Sequence, residues 1–138
     1  MGTTRTTRAT RVVTPVAEMP FAIGDLRRVR AFVADLAAEA GLGRGRTDEL
    51  TVVINELAAN SVDHGGGAGT VRGWVETEAL VVEVEDAGRI ADPVGAGRVA
   101  PRPDQARGRG LWIARRLSDS LDIRPTPRGT VVRVVTWR

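Results

Sequence analysis

The sequence has no cysteine, no lysine and no tyrosine, and the first two absences each remove a class of chemistry. Without cysteine there are no disulfides and no thiolate metal sites, a usage that fits a reducing cytoplasm. Without lysine the phosphate-binding GxxxxGK loop cannot be written. Aromatics are scarce, with three Trp and two Phe, and each Trp lies in a periodic apolar segment that reads as core. The one histidine, His64, reads first as a helix C-terminal cap, and no nucleophile elbow accompanies it. No apolar run approaches the roughly 18–20 residues of a membrane span, and the polar N-terminus reads as no secretory leader. A cytoplasmic protein without membrane contact is the expectation.

What is present suits one domain. At 138 residues and 42% hydrophobic content, the chain can bury about two-thirds of the surface its unfolded form exposes. All twenty basic residues are Arg, which reads as compositional bias. Three of them (Arg5, Arg8, Arg11) fall in the first eleven residues, leaving 20 − 3 = 17 against 17 acidic residues from Val12 onward. That balance argues against direct nucleic-acid binding.

Residues 1–11 form a Thr/Arg-rich segment with little to bury and are expected to be a disordered tail, followed by one domain over 12–138. A first strand is expected over 12–20, ending at Pro20. Asp25 is placed to cap a helix whose apolar residues Leu26, Val29, Phe32, Val33, Leu36 and Ala40 follow the helical period up to Gly41. Thr47 is placed to cap a second helix that ends at His64 before Gly65-Gly66-Gly67. Strands are expected at 69–77 and 79–86, a long loop at 87–107, a helix at 110–120, and strands at 121–125 and 129–137. That order implies a two-layer α/β sandwich.

Three places could carry chemistry. On the second helix Leu50, Val53, Ile54, Leu57 and Ser61 make a core stripe, while Glu56, Asn60 and Asp63 fall at i, i+4 and i+7 on another. A carboxamide and a carboxylate one turn apart can serve one Mg²⁺–phosphate unit, though a solvated polar face has the same pattern. Asp86-Ala87-Gly88 closes a strand, where a carboxylate can accept from an exocyclic amine or simply begin a turn. Gly108-Arg109-Gly110-Leu111-Trp112 enters a helix whose free N–H groups favour an anion, an arrangement that many caps share.

Taken in order, Glu56-Leu57-Ala58-Ala59-Asn60-Ser61-Val62-Asp63-His64-Gly65, Asp86-Ala87-Gly88, Gly108-Arg109-Gly110-Leu111 and Gly129-Thr130-Val131 resemble the GHKL superfamily of histidine-kinase-like ATPases and kinases. The likeness covers about Pro15 to Arg138 and lies closest to the small anti-sigma-factor serine kinases. The resemblance implies the Bergerat ATP-binding fold, with a mixed, mostly antiparallel sheet and helices on one face. It implies ATP and Mg²⁺ as cofactors, with Asn60 on the metal, Glu56 as general base, and Asp86 and Gly88 at the adenine. Asp63 and His64 belong to the same nucleotide motif; Gly108, Arg109, Gly110 and Leu111 would meet the phosphates beside a lid over 92–107, and Thr130 the base. The partners it implies are a STAS-type antagonist phosphorylated on Ser or Thr, a sigma factor, and a second copy in a homodimer. A nucleotide-sensing module without phosphotransfer is the alternative. Two departures stand out: Ile90 takes the place of the second glycine of Asp-x-Gly-x-Gly, and without Lys any cationic γ-phosphate contact must come from Arg, with Arg107 and Arg109 nearest.

Overall fold

The computed structural model describes residues 9–101 and 109–138. In chain order these form β1 (Ala17–Ala22), α1 (Leu26–Ala40), α2 (Arg44–His64), β2 (Ala68–Val75), β3 (Ala79–Asp86), α3 (Arg109–Leu117), β4 (Ser120–Thr126) and β5 (Gly129–Trp137). The sheet order is β1-β2-β3-β5-β4 and every pairing is antiparallel, where the resemblance implied a mixed sheet. Among the described residues no parallel pair forms, because two hairpins, β2–β3 and β4–β5, meet directly along β3 and β5. In chain order α3 falls between the central strand β3 and the edge strand β4.

One face of the sheet carries the core. Val71 and Val75 of β2, Leu80, Val82 and Val84 of β3, and Val132 and Val134 of β5 pack with Val29, Val33 and Leu36 of α1 and Leu50, Val53, Ile54 and Leu57 of α2. Each such side chain contributes about 1.5–3 kcal/mol on leaving water. The helical periods read from the sequence put these residues inward. A continuous buried stripe therefore fixes which flank of α2 meets the sheet, and so which flank is left for a site.

Local differences have local causes. The first strand begins later than 12–20 and runs through Pro20, because β1 is an edge strand where a missing N–H breaks no ladder bond. Val12 makes only an isolated bridge to Glu76, while Thr10 and Arg11 hydrogen-bond at the β2–β3 turn (Glu78 N to Thr10 Oγ1, 3.1 Å; Thr77 N to Arg11 O, 2.8 Å). Residues 1–8 of the expected tail lie outside the described residues. Asp25 precedes α1 without capping it; its carboxylate accepts from Ala22 N at 3.0 Å and pairs with Arg28. α1 closes as expected at Gly41, whose left-handed backbone lets Gly41 N and Leu42 N reach Ala38 O and Ala37 O, both at 3.0 Å. α2 starts a turn before Thr47, whose N–H already donates to Gly43 O at 2.9 Å. α3 is shorter than 110–120 and ends at Leu117.

The opposite sheet face carries Trp74 and Trp137, while Trp112 stands on α3. Trp74, Trp112 and Trp137 are half-buried and stand outside the core. Trp74 alternates with the inward Gly73 and Val75, so the strand period turns it outward, where Arg133 lies 5.5 Å from its ring centroid. Trp112 is covered in the same way by Arg116 at 5.1 Å. Beside Trp74 a charge ladder of alternating sign crosses all five strands at one register, Glu18–Arg72–Glu83–Arg133–Asp122. Arg72 reaches Glu18, Glu83 and Glu85, and Arg133 reaches Glu83 at 2.7 Å.

Candidate functional site

α2 delivers its functional side chains on a stripe adjacent to the core. The residues that face the cavity are Leu57, Asn60, Ser61 and His64, spaced i, i+3, i+4 and i+7. This differs from the expected Glu56–Asn60–Asp63 stripe. Glu56 lies on its flank, and Asp63 is exposed and lines no part of the cavity. Glu56 and Asn60 nevertheless converge on the start of α3: a Cβ built on Gly110 would sit 3.1 Å from Glu56 Oε1 and 3.2 Å from Asn60 Nδ2. Neither side chain has a hydrogen-bond or ion-pair partner among the described residues. A side chain at 110 would require these two polar groups to give way by a few tenths of an ångström.

The other wall comes from the ends of β3 and β5. Asp86 and Thr130 are register partners, and both point to the helix side with Val84 and Val132. Asp86 Oδ2 accepts from Ser61 Oγ at 2.6 Å, and Asp86 Oδ1 from Gly88 N at 2.8 Å. Thr130 Oγ1 donates to Gly88 O at 2.7 Å, so the chain leaving β3 is tied to the strand that follows the last turn. Gly88 packs on the end of α2, where an added Cβ would meet Gly65 Cα at 2.8 Å and His64 O at 3.0 Å. Its missing side chain thus serves the approach of two loops.

Between these walls lies a cavity of about 270 Å³, lined by apolar Leu57, Val84, Ile90, Leu111 and Val132 with Asn60, Ser61, Asp86 and Thr130 as polar points. Apolar sides with few convergent polar groups suit a flat heterocycle held by one or two directed hydrogen bonds. Asp86 offers a carboxylate acceptor there, held from behind by Ser61. Replacing Ser61, which is 1% exposed, with Ala is expected to lower stability by about 1.5–3 kcal/mol, because a half-buried carboxylate loses its donor. Urea unfolding measures it, and a loss below about 0.5 kcal/mol would show that water replaces the hydroxyl.

Ile90, in the place of the family's second glycine, lines the cavity and packs partly buried against the core. Beyond it, the described part of the expected lid is held to α3 and β4. Arg115 donates to Ala96 O (2.6 Å), Pro93 O (3.2 Å) and Leu121 O (3.2 Å), and Gly97 packs on the Leu111 backbone. Arg107 and Gly108 lie outside the described residues. Arg109 is exposed as the first residue of α3 and does not line the cavity, whereas Leu111 does. Among the described residues no three of His, Cys, Asp and Glu gather to hold a metal ion. No helix among them is long and apolar enough to cross a membrane.

Ser61 escaped the sequence reading as a site residue, because its place in the core stripe hid the use of its hydroxyl. Gly65 escaped too; an added Cβ there would fall 2.3 Å from Asp86 Oδ2. Its signals were its place at the end of the Glu56–Gly65 motif and the glycine run after His64.

The chain is a two-layer α/β sandwich with a cavity between a long helix and the ends of two antiparallel strands. The model of the histidine kinase-like ATPase domain matches residues 19–136, and the chain belongs to that family. Among solved structures it is similar to the RsbU and RsbW domains of Rv1364c from Mycobacterium tuberculosis, with a TM-score of 0.63 and 20% identity. That likeness covers 91% of this chain and 33% of the other, so the chain spans about a third of the length of that structure; it bears on the fold. No curated protein matches the sequence.

Proposed function

We propose that this ATPase domain is an ATP–Mg²⁺-dependent serine/threonine protein kinase that phosphorylates a STAS-type partner and, in a second role, holds a sigma factor. The supporting observation is the convergence of Glu56 and Asn60 on Gly110, next to a cavity whose far end presents Asp86. A heterocycle accepted by Asp86 would direct its phosphates toward α3, whose first-turn amides and dipole favour an anion.

The donor set fits Mg²⁺. Asn60 offers one hard oxygen, and such a metal is commonly completed by substrate phosphate oxygens and water. Bound there, Mg²⁺ would neutralise charge on the transferring phosphoryl group. Asn60 holds and orients, while Asp86 and Thr130 fix the base end. Glu56 accepts the proton of the partner's hydroxyl as its oxygen bonds to the γ-phosphorus and the bond to the ADP oxygen breaks.

The test is incubation with γ-labelled ATP, Mg²⁺ and a cognate STAS protein, followed by acid-stable phosphoserine or phosphothreonine analysis of the partner. Label on the partner is the expected result. ATP binding with no transfer would instead make the chain a nucleotide-sensing, partner-binding module, and no ATP binding would reject both readings.

A further inference from the structure

Arg89 stands at the rim of the cavity, and the sequence reading assigned it no role. Its guanidinium reaches across to the β4–β5 turn and donates to three main-chain carbonyls: Nη1 to Thr126 O and to Gly129 O (2.9 Å), and Nη2 to Pro127 O (3.0 Å). A planar fork with several N–H groups suits three acceptors that diverge around a turn; an ammonium is a single point. The turn needs such a tie. β4 is the outer strand of the sheet, so the tip of this hairpin is supported by the sheet on the β3 side alone.

What the turn carries is the base end of the cavity. Gly129 opens β5, Thr130 is the register partner of Asp86, and Thr130 Oγ1 donates to Gly88 O. Arg89 therefore closes a ring that runs from Asp86 through Gly88 and Arg89 across to Gly129, and back through Thr130. We propose that Arg89 is a positioning residue for the base end of the nucleotide site, holding Gly129 and Thr130 at fixed distance from Asp86. The proposal rests on the cavity being a nucleotide site. It gives Arg89 no phosphate to touch, since all its described acceptors are carbonyls on the base side.

Two variants, Arg89→Ala and Arg89→Lys, test it on the full chain. Amide hydrogen exchange over 126–132 is expected to speed up by about tenfold in both, with α1 protection unchanged as evidence of an intact fold. Affinity for AMP, ADP and ATP is expected to fall by about the same factor, roughly tenfold, for each nucleotide. A loss that grows from AMP to ATP would overturn the proposal by making Arg89 a phosphate ligand. So would unchanged exchange over 126–132, and so would full recovery by Lys, which would show that charge alone suffices. If the unsubstituted chain binds none of the three nucleotides, the proposed function fails, while the exchange measurement still decides whether Arg89 holds the turn.

Discussion

Glu56→Gln will reduce phosphorylation of the partner by about 10²- to 10⁴-fold, the range a positioned general base supplies, while ATP affinity stays within about threefold. The separation follows from where the side chain stands. Glu56 is half-buried beside Gly110, does not line the base cavity, and has no hydrogen-bond partner among the described residues. Gln keeps its size but removes the negative charge and with it the capacity to accept a proton. Single-turnover transfer measures one side and nucleotide titration the other. Equal losses in both would sink the general-base role and make Glu56 part of binding. Asn60→Ala should behave in the opposite sense, weakening Mg²⁺-dependent ATP binding itself.

The second large effect is on the fold. Gly129 has a φ of +155°, and a Cβ built there lies 2.0 Å from Asp86 O and 2.7 Å from Ala87 Cα. Those are backbone atoms at the end of β3 and the residue after it, so no side-chain rotation can relieve the contact. Gly129→Ala must separate β3 from β5 where Asp86 faces Thr130, at a cost of about 3 kcal/mol or more. Urea unfolding should show the loss as a lower midpoint, and nucleotide binding should fall with it. A cost under about 1 kcal/mol would mean that the two strands are not so close at this point. Gly129 thus belongs to stability and to the site at once.

Much of this was legible in advance. The period-3.6 apolar residues of α1 and α2 located both helices, since core burial leaves little freedom in which face turns inward. Asn60, Asp86 and Gly110 were joined by the resemblance, and the structure brings Asn60 against Gly110 and beside the cavity that Asp86 lines. Where the reading missed, a tertiary neighbour decided. Asp63 shared the helical stripe of Glu56 but not its surroundings: the cavity follows Leu57, Asn60, Ser61 and His64 instead. Ser61 read as core because it is buried, and its acceptor is 25 residues away. Pro20 read as a strand end, which holds inside a sheet and fails at its edge. Trp74 read as core because the segment is apolar, but strand alternation turned it toward Arg133.

The arginines illegible from sequence share one trait. Arg89, Arg115 and Arg138 each donate to three main-chain carbonyls, the last to Ala40 O, Glu76 O and Thr77 O. A carbonyl is present whichever residue occupies the position. The partners of these arginines can therefore change identity through evolution with no matching change at the arginine itself. Correlated substitution, which reveals side-chain pairs such as Arg72 with Glu83, is blind to such contacts. In relatives of this chain, the arginines that tie its turns in place would leave their trace only as solitary invariant positions, facing neighbours free to vary.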